Sequence, residues 1–377
     1  MDLPTVNPSP CPGHTDGLDP GHLPPDGLFR PMPMPIPMTH PIPRHRSAGP
    51  WVVAAAALLA GTLGAADTYA VYRSADRGRT WTRSDTGLPE SSRINAFAAH
   101  GGMLFAETDA GLYRTSDATR PWQPVPDSTL STTRVLSLAA ASNTLLVGTD
   151  GAGLRETRDQ GTLERPIPGV PTGKIRSLLA QGSEWVAGTD AKGVFLSSNG
   201  GTTWTPHPRG LPEGSQVFAL AKAGGTLLAG LYRDGLYSWT PSTDTWGRTG
   251  SVQPLVLATD GGVLVVGHNP GGIHRSEDRG VTWSPAKAAP LEGFLQPSSE
   301  PPTALTETAP VWEMMAGAGL LLAGAADGVF LSDDRGTSWT RLKGGLPPAA
   351  PGISFLAEPD LLFAALHLPR ARTTAVP

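Results

Sequence analysis

Carboxylate side chains recur in two short patterns along the chain. The first, which we call the box, is Ser-x-Asp/Asn-x-Gly-x-Thr/Ser-Trp, and its four copies hold Ser74, Asp76, Gly78 and Trp81; Ser197, Asn199, Gly201 and Trp204; Ser276, Asp278, Gly280 and Trp283; and Ser332, Asp334, Gly336 and Trp339. The second places an aspartate in a turn that contains glycine, at Asp109, Asp150, Asp190, Asp234 and Asp327. Two carboxylates that face each other at about 5–9.5 Å can hydrolyse a glycosidic bond. Nothing in the sequence singles out such a pair, so we assign no catalytic residue.

Positive charges recur at a third position. Arg93, Arg134 and Lys174 each stand immediately before an apolar run, and Gln216 holds the same place before the next one. An Asp-x-Gly sequence is ordinary turn chemistry, but no turn requires a cation at this place. We therefore predict a basic arc, with the five turn aspartates beside it as candidate ligand-binding residues. Such an arc suits carboxylate or phosphate groups, or an acidic protein surface.

Metal and cofactor chemistry has little support in the sequence. Cys11 is the only cysteine, which excludes an intramolecular disulfide and a cysteine-cluster zinc site. The soft-ligand residues Met32, Met34, Met38 and His40 lie in the run PMPMPIPMTHPIP, which is typical of an extended, solvated tail. We therefore predict no metal and no cofactor.

An internal repeat predicts the elements that position these residues. The boxes and their weaker versions end at Trp81, Trp122, Leu163, Trp204, Trp246, Trp283 and Trp339, in steps of 41, 41, 41, 42, 37 and 56 residues. Each unit holds four short apolar runs, A to D, separated by Gly, Asp or Asn turns. Four short antiparallel strands at this period describe a propeller blade. The 46 Gly and 39 Pro residues agree with this, because both residue types disfavour helices.

The strand count predicts how the ring closes. Seven C–D pairs alternate with six A–B pairs, and a seventh A–B pair follows the last box at 352–367. We expect this C-terminal pair to join strands C and D at 68–84, which removes free sheet edges. The predicted fold is an all-β, seven-bladed β-propeller of four-stranded antiparallel blades. In each box, Asp and Ser would hydrogen-bond the turn amides and Trp would pack on the neighbouring blade.

The boxes resemble the Asp-box, or BNR, repeat of sialidases, sortilin-type receptors, xyloglucanases and photosystem II stability/assembly factors. The even spacing of about 41 residues, over about residues 68–367, looks most like the assembly-factor type. The resemblance is specific for the fold and weak for function. It implies that the boxes lie on the rim of the face away from the usual ligand site, so that the box residues are structural.

Residues 1–66 do not fit the repeat. Residues 1–50 are Pro-rich and predict a disordered tail. The stretch 44–66 has basic residues, a short apolar core from Trp51 and small residues at its end, which is the layout of a secretory signal peptide and is too short for a stable transmembrane span. We expect a secreted or periplasmic protein. The alternative, a cytoplasmic protein in which 51–66 forms the first two strands of blade one, draws on the likeness of LLAGT to LLAGL and LLAGA.

Residues 67–377 are predicted to form one propeller domain, in which 284–310 is a long Pro-rich insertion. This insertion could cover the channel mouth, dock a partner or be a tolerated surface loop. The formal net charge of −4 gives no basic footprint for nucleic acid.

Three functions remain open on sequence grounds. We favour a non-enzymatic, exported binding or assembly scaffold that holds a protein or peptide partner on its loop-bearing face. The alternatives are a sialidase-like glycoside hydrolase and a carbohydrate-binding lectin. Trp185 and Trp239 would be candidates for a lectin site if exposed, but the sequence favours core packing for both. We expect a monomer.

Overall fold

The computed structural model describes residues 68–125, 133–141, 144–158, 163–250, 252–268, 272–288, 310–348 and 350–368. These residues form seven separate sheets, one for each predicted blade. The predicted seven-bladed β-propeller is thereby confirmed. The predicted tail at 1–50 and the predicted signal core at 51–66 lie outside the described residues. No helix of the described part is long and apolar enough to cross a membrane.

The two inner strands of every blade are long and almost entirely buried. The A strands are β3 (Ile94–His100), β7 (Val135–Ala141), β11 (Ile175–Gln181), β15 (Val217–Ala223), β19 (Pro254–Asp260), β24 (Val311–Gly317) and β28 (Gly352–Glu358). The B strands are β4 (Met103–Thr108), β8 (Thr144–Thr149), β12 (Glu184–Thr189), β16 (Thr226–Leu231), β20 (Val263–His268), β25 (Leu320–Ala325) and β29 (Leu361–Leu368). Each A strand contacts the next one around the ring, up to the contact of β28 with β3, so the A strands surround the axis.

The outermost strand of every blade has only two to four residues, and most C strands are shorter than the inner strands. The C strands are β1 (Thr68–Ser74), β5 (Gly111–Thr115), β9 (Leu154–Arg158), β13 (Val194–Ser197), β17 (Gly235–Thr240), β21 (Ile273–Ser276) and β26 (Gly328–Ser332). The D strands are β2 (Thr82–Arg83), β6 (Gln123–Pro124), β10 (Leu163–Pro166), β14 (Thr205–His207), β18 (Thr245–Arg248), β22 (Ser284–Pro285) and β27 (Ser338–Arg341). Short outer strands limit the edge that each blade exposes to pairing with another chain.

The ring closes in blade one, as predicted. There, β29 pairs antiparallel with β1 over the whole of Thr68–Ser74, and β28 pairs with β29. The C-terminal strands therefore hold the A and B positions of this blade, which the alternative interpretation had given to 51–66. Phe363 of β29 is fully buried, and its ring lies 5.8 Å from that of Phe97 and 6.1 Å from that of Trp122 in blade two.

The described start of the insertion adds a strand to the next blade. Its residues Lys287–Ala288 form β23, which pairs in parallel with β27 and makes blade seven a five-stranded sheet. The Lys287 amide donates to the Thr337 carbonyl at 2.9 Å. These two residues thus lie along the outer edge of blade seven. Residues 289–309 lie outside the described part.

The box contacts match the predicted turn chemistry. In the box of blade six, the Ser276 hydroxyl donates to Asp278 at 2.7 Å and accepts from the Gly280 amide at 2.8 Å, while the amide and hydroxyl of Thr282 donate to the Asp278 carboxylate at 2.8 and 2.5 Å. The hydrogen bonds from Thr282 and Ser276 lower the pKa of Asp278 to about 2. This carboxylate is engaged by its own turn.

A second repeated motif, which was not predicted, lies in the D–A connections. Four D–A connections contain Gly-Leu/Val-Pro, at Gly87, Gly169, Gly210 and Gly345. Each of these glycines has a positive φ and packs on the tryptophan that starts strand D of the next blade, namely Trp122, Trp204, Trp246 and Trp81. Amides of three of these tryptophans donate to the same connections. All four tryptophans are buried, as predicted, with exposed fractions of 9 % or less.

Replacing Gly210 by alanine is expected to lower the free energy of unfolding by about 3 kcal/mol, because overpacking and a strained φ act together. Gly210 has a φ of +88°, and a Cβ would lie 2.0 Å from the Trp246 carbonyl oxygen. Gly214→Ala is the matched control, since Gly214 also has a positive φ (+70°) but no atom within 4 Å of the added Cβ. Urea unfolding measures both. Equal losses in the two variants would contradict the proposed packing role.

Candidate functional site

The D–A and B–C connections share one face of the propeller, which we call the mouth face. On this face, in blades two to five, an amide of the B–C turn donates to the carbonyl of the residue before strand A. The bonds in blades two to five join Asp109 to Arg93 (3.1 Å), Asp150 to Arg134 (2.8 Å), Asp190 to Lys174 (3.0 Å) and Tyr232 to Gln216 (3.0 Å). The predicted cations and three of the predicted turn acids are therefore brought together by the backbone.

The predicted basic arc is interleaved with carboxylates. Lys174 of blade four lies 3.3 Å from the Asp150 carboxylate of blade three. Burial lowers the pKa of Arg93, whereas Glu107 and Asp109 oppose that shift. Arg134 is exposed. Positive and negative charges thus alternate around this part of the mouth, where the sequence placed the turn aspartates beside the basic arc.

Threonine hydroxyls hold the B–C turns of blades two to four. Thr108, Thr149 and Thr189 donate to the carbonyls of Gly111, Gly153 and Gly193 at 2.9, 2.6 and 2.8 Å. The carboxylates of Asp150 and Asp190 instead bind cations. Turn chemistry alone therefore does not account for these two acids.

The other two predicted turn acids lie in other sectors. Asp234 is partly exposed in the blade-five turn, directly after Arg233, which has a φ of 67°. Asp327 lies in blade seven, where its carbonyl accepts a hydrogen bond from Arg341 at 2.5 Å. Its buried Oδ1 makes no hydrogen bond within the described residues. The structure does not bring Asp327 to the charges of blades two to four.

A cluster that sequence reasoning missed lies at the start of the A strands. All seven A strands carry a β-bulge at their second residue, and two of these residues are Arg176 and Phe218. Arg176 donates to Asp190 at 2.8 Å, and its guanidinium lies 4.6 Å from the Phe218 ring centroid. Phe218 in turn packs on Tyr232 at 5.1 Å. Sequence reasoning could have found this cluster through Arg176, which is a charged residue inside an otherwise apolar run.

One acid near this site is fully buried. Glu107 is 1 % exposed, and burial raises its pKa well above the usual range, against the lowering effects of Asn95 and Arg134. A dissolved substrate cannot reach this carboxyl group. Glu107 and Asp109 therefore do not form an accessible hydrolytic pair.

A small cavity lies between the A strands of four blades. It has a volume of about 10 Å³ and is lined by residues that include Leu179, Ala221, Leu257 and Met314. This is about the space of one water molecule, so a larger ligand does not fit this cavity.

The tryptophans considered for a lectin site offer little accessible surface. Trp185 is 4 % exposed and packs against Trp204, so it lies in the core, the location that the sequence favoured. Trp239 is half-buried, and its indole N–H donates to Asp244 at 3.2 Å. His207 of blade four contacts the same carboxylate. These contacts connect the C–D turn of blade five, which lacks a full box, to blade four.

Comparisons with known proteins agree with the fold. A family model described as the DUF6242 beta propeller domain matches residues 51–187, which is less than half of the chain. No curated protein matches the sequence. Among solved structures, "YCF48 bound to D1 peptide" is 18 % identical with a TM-score of 0.52, over 75 % of this chain and 92 % of that one.

Two further structures are similar in fold. YCF48 from Cyanidioschyzon merolae is 14 % identical with a TM-score of 0.51, over 74 % of this chain and 97 % of that one. The extracellular domain of the putative one-component system BT4673 from B. thetaiotaomicron is 14 % identical with a TM-score of 0.56, over 74 % of this chain and 39 % of that one. At these identities the likeness concerns the β-propeller fold.

Proposed function

We propose that the protein is a non-enzymatic binding scaffold whose mouth face holds an extended segment of a partner protein. The observation that carries this proposal is the half-buried group of Arg176, Asp190 and Tyr232, packed over the buried Phe218 and beside the alternating charges of blades two to four. Aromatic and arginine side chains dominate the energy of protein interfaces, and surrounding charges orient the partner.

Two further observations support a peptide-like partner. The mixed charges of the mouth offer both donors and acceptors, which suits the alternating N–H and C=O groups of an extended chain. A propeller of the same fold has been solved as "YCF48 bound to D1 peptide". Hydrolysis is less well supported, because cations engage Asp150 and Asp190, and Glu107 is buried.

This function is tested with short random peptides that are selected, by peptide display, for binding to the full-length protein. We expect Arg134→Glu and Tyr232→Ala each to weaken the selected peptides by at least about tenfold, which corresponds to about 1.4 kcal/mol. Arg279→Glu is the control, since Arg279 is also exposed but belongs to a box. Fluorescence anisotropy gives the affinities. Undiminished binding by both mouth variants would remove the mouth face from the proposal.

An enzymatic function would give a different result. Fluorogenic sialosides and β-glucosides, together with a glycan array, cover the hydrolase and lectin alternatives. Turnover that Asp109→Asn abolishes would replace the scaffold by a glycoside hydrolase, whose acid–base chemistry needs that carboxyl group.

We also propose that this scaffold works outside the cytoplasm, as a monomer. The support for export is the signal-like sequence at 44–66. N-terminal sequencing of the protein made in its host tests it, and a mature cytosolic chain that still contains Trp51 would contradict it. Sedimentation at several protein concentrations tests the monomer.

A further inference from the structure

Two histidines meet in blade six, at the end of its B–C hairpin. His268 is the last residue of β20, and His274 is the second residue of β21. The Nε2 atom of His268 lies 2.8 Å from the Nδ1 atom of His274, with the ring centroids 4.7 Å apart. His274 pairs with Val266, so the two histidines are diagonal neighbours on one face of the sheet. Both side chains are half-buried.

The other blades provide an internal comparison for these two positions. Residues equivalent to His268 are Thr108, Thr149, Thr189, Leu231, Ala325 and Leu366. Residues equivalent to His274 are Tyr72, Tyr113, Arg155, Phe195, Tyr237 and Phe330. Blade six thus departs from the repeat at two positions that touch each other, and both departures introduce the commonest metal-binding side chain. The propeller fold itself does not require either histidine.

The geometry points to a site in which His268 Nε2 and His274 Nδ1 bind a divalent copper ion as cis ligands. Two nitrogens at about 2.0 Å from a square-planar ion are about 2.8 Å apart, and this geometry with nitrogen ligands is typical of Cu(II). A tetrahedral zinc ion with the same bond lengths would need about 3.3 Å between them. Among divalent ions of its row, Cu(II) also binds nitrogen ligands most tightly.

Each histidine can present one ring nitrogen to a metal ion when its imidazole is neutral. A neutral imidazole carries one N–H, and the proton between the rings moves to the other nitrogen of its own ring when the metal takes its place. No group of three His, Cys, Asp or Glu residues forms in the part of the chain that the structure describes. Water or a partner's donor atom would therefore complete the coordination.

Titration of the full-length protein with Cu(II) tests this site. The decisive variant is the double substitution His268→Thr and His274→Phe, which installs the residues that blade four has at Thr189 and Phe195 and should fold normally. Loss of an outer-shell partner of a metal ligand already costs about 10- to 100-fold in affinity. We expect the double variant to weaken the tightest copper site by at least about tenfold and to remove its two-nitrogen signature in electron paramagnetic resonance.

A second variant controls for the tail, which holds His40 and three nearby methionines. His40→Ala is expected to leave the tightest site unchanged. An unaltered tightest site in the blade-six variant would overturn the proposal, and so would its loss in His40→Ala. The melting temperature without metal confirms that each variant is folded.

Discussion

Removal of residues 352–377 is expected to abolish cooperative folding of the propeller. The deletion takes away β28 and β29, and with them the pairing partner of β1 along its whole length. Six large apolar side chains of these strands are buried: Ile353, Phe355, Leu356, Leu362, Phe363 and Leu366. At about 2 kcal/mol each, their burial contributes on the order of 10 kcal/mol, comparable with the total stability of about 5–15 kcal/mol of a typical domain.

Two milder deletions sharpen this test. Removal of 370–377 spares β29 and should leave the melting temperature unchanged, as should removal of 51–66 if that segment is not part of the ring. Circular dichroism during heating and size-exclusion chromatography give the outcome. A protein without 352–377 that still melts cooperatively at the original temperature would contradict closure by the C-terminal strands. It would favour the interpretation in which 51–66 supplies strands A and B.

The fold was predictable because it depends on features that repeat. A box such as Ser276 to Trp283 carries its own turn chemistry, so its hydrogen bonds follow from the local sequence. Closure followed from counting strand pairs. The A–B pair at 352–367 has no C–D pair after it, and the C–D pair at 68–84 has no A–B pair before it, so the two complete one blade. The Gly-Leu/Val-Pro motif was as regular as the boxes. Its role was missed because Gly210 contacts Trp246, which is 36 residues away in the next blade.

The site was less predictable because it depends on how different blades meet. Lys174 and Asp150 belong to different units of the repeat, and the sequence does not state that a turn of one unit faces the strand start of the next. The same applies to the bulge that places Arg176 beside Phe218. Residue types alone therefore suggested a basic arc with aspartates beside it, and the structure adds which acid each cation meets.

A buried glutamate at the junction of blades seven and one should make stability depend on pH. Glu313 of β24 is fully buried, pairs with Gly324 and makes no side-chain hydrogen bond within the described residues. The equivalent residues of blades three and four, Ser137 and Ser177, donate to a carbonyl of the following blade at 3.0 Å. Burial raises the pKa of Glu313 well above its usual range. Burial therefore favours the protonated form of this carboxyl group in the folded protein.

The sign of the pH effect follows from proton linkage. Between the unfolded pKa of about 4.3 and the higher folded pKa, the folded state binds more protons than the unfolded state, so stability falls as pH rises. Glu313→Gln stays neutral throughout. We expect the variant to match the original protein near pH 4 and to exceed its free energy of unfolding by more than about 1.4 kcal/mol at pH 8, the value of a one-unit pKa shift.

Urea unfolding at several pH values between 4 and 8 measures this difference. Glu184→Gln is the matched control, because Glu184 is a surface carboxylate paired with Lys222 at 2.7 Å and should show no gain that grows with pH. An equal slope in the original protein and in Glu313→Gln would show that Glu313 is already ionised in the folded state. In that case water or a shift of the blade junction must solvate the charge, since a bare carboxylate cannot remain at a site with no hydrogen-bond donor.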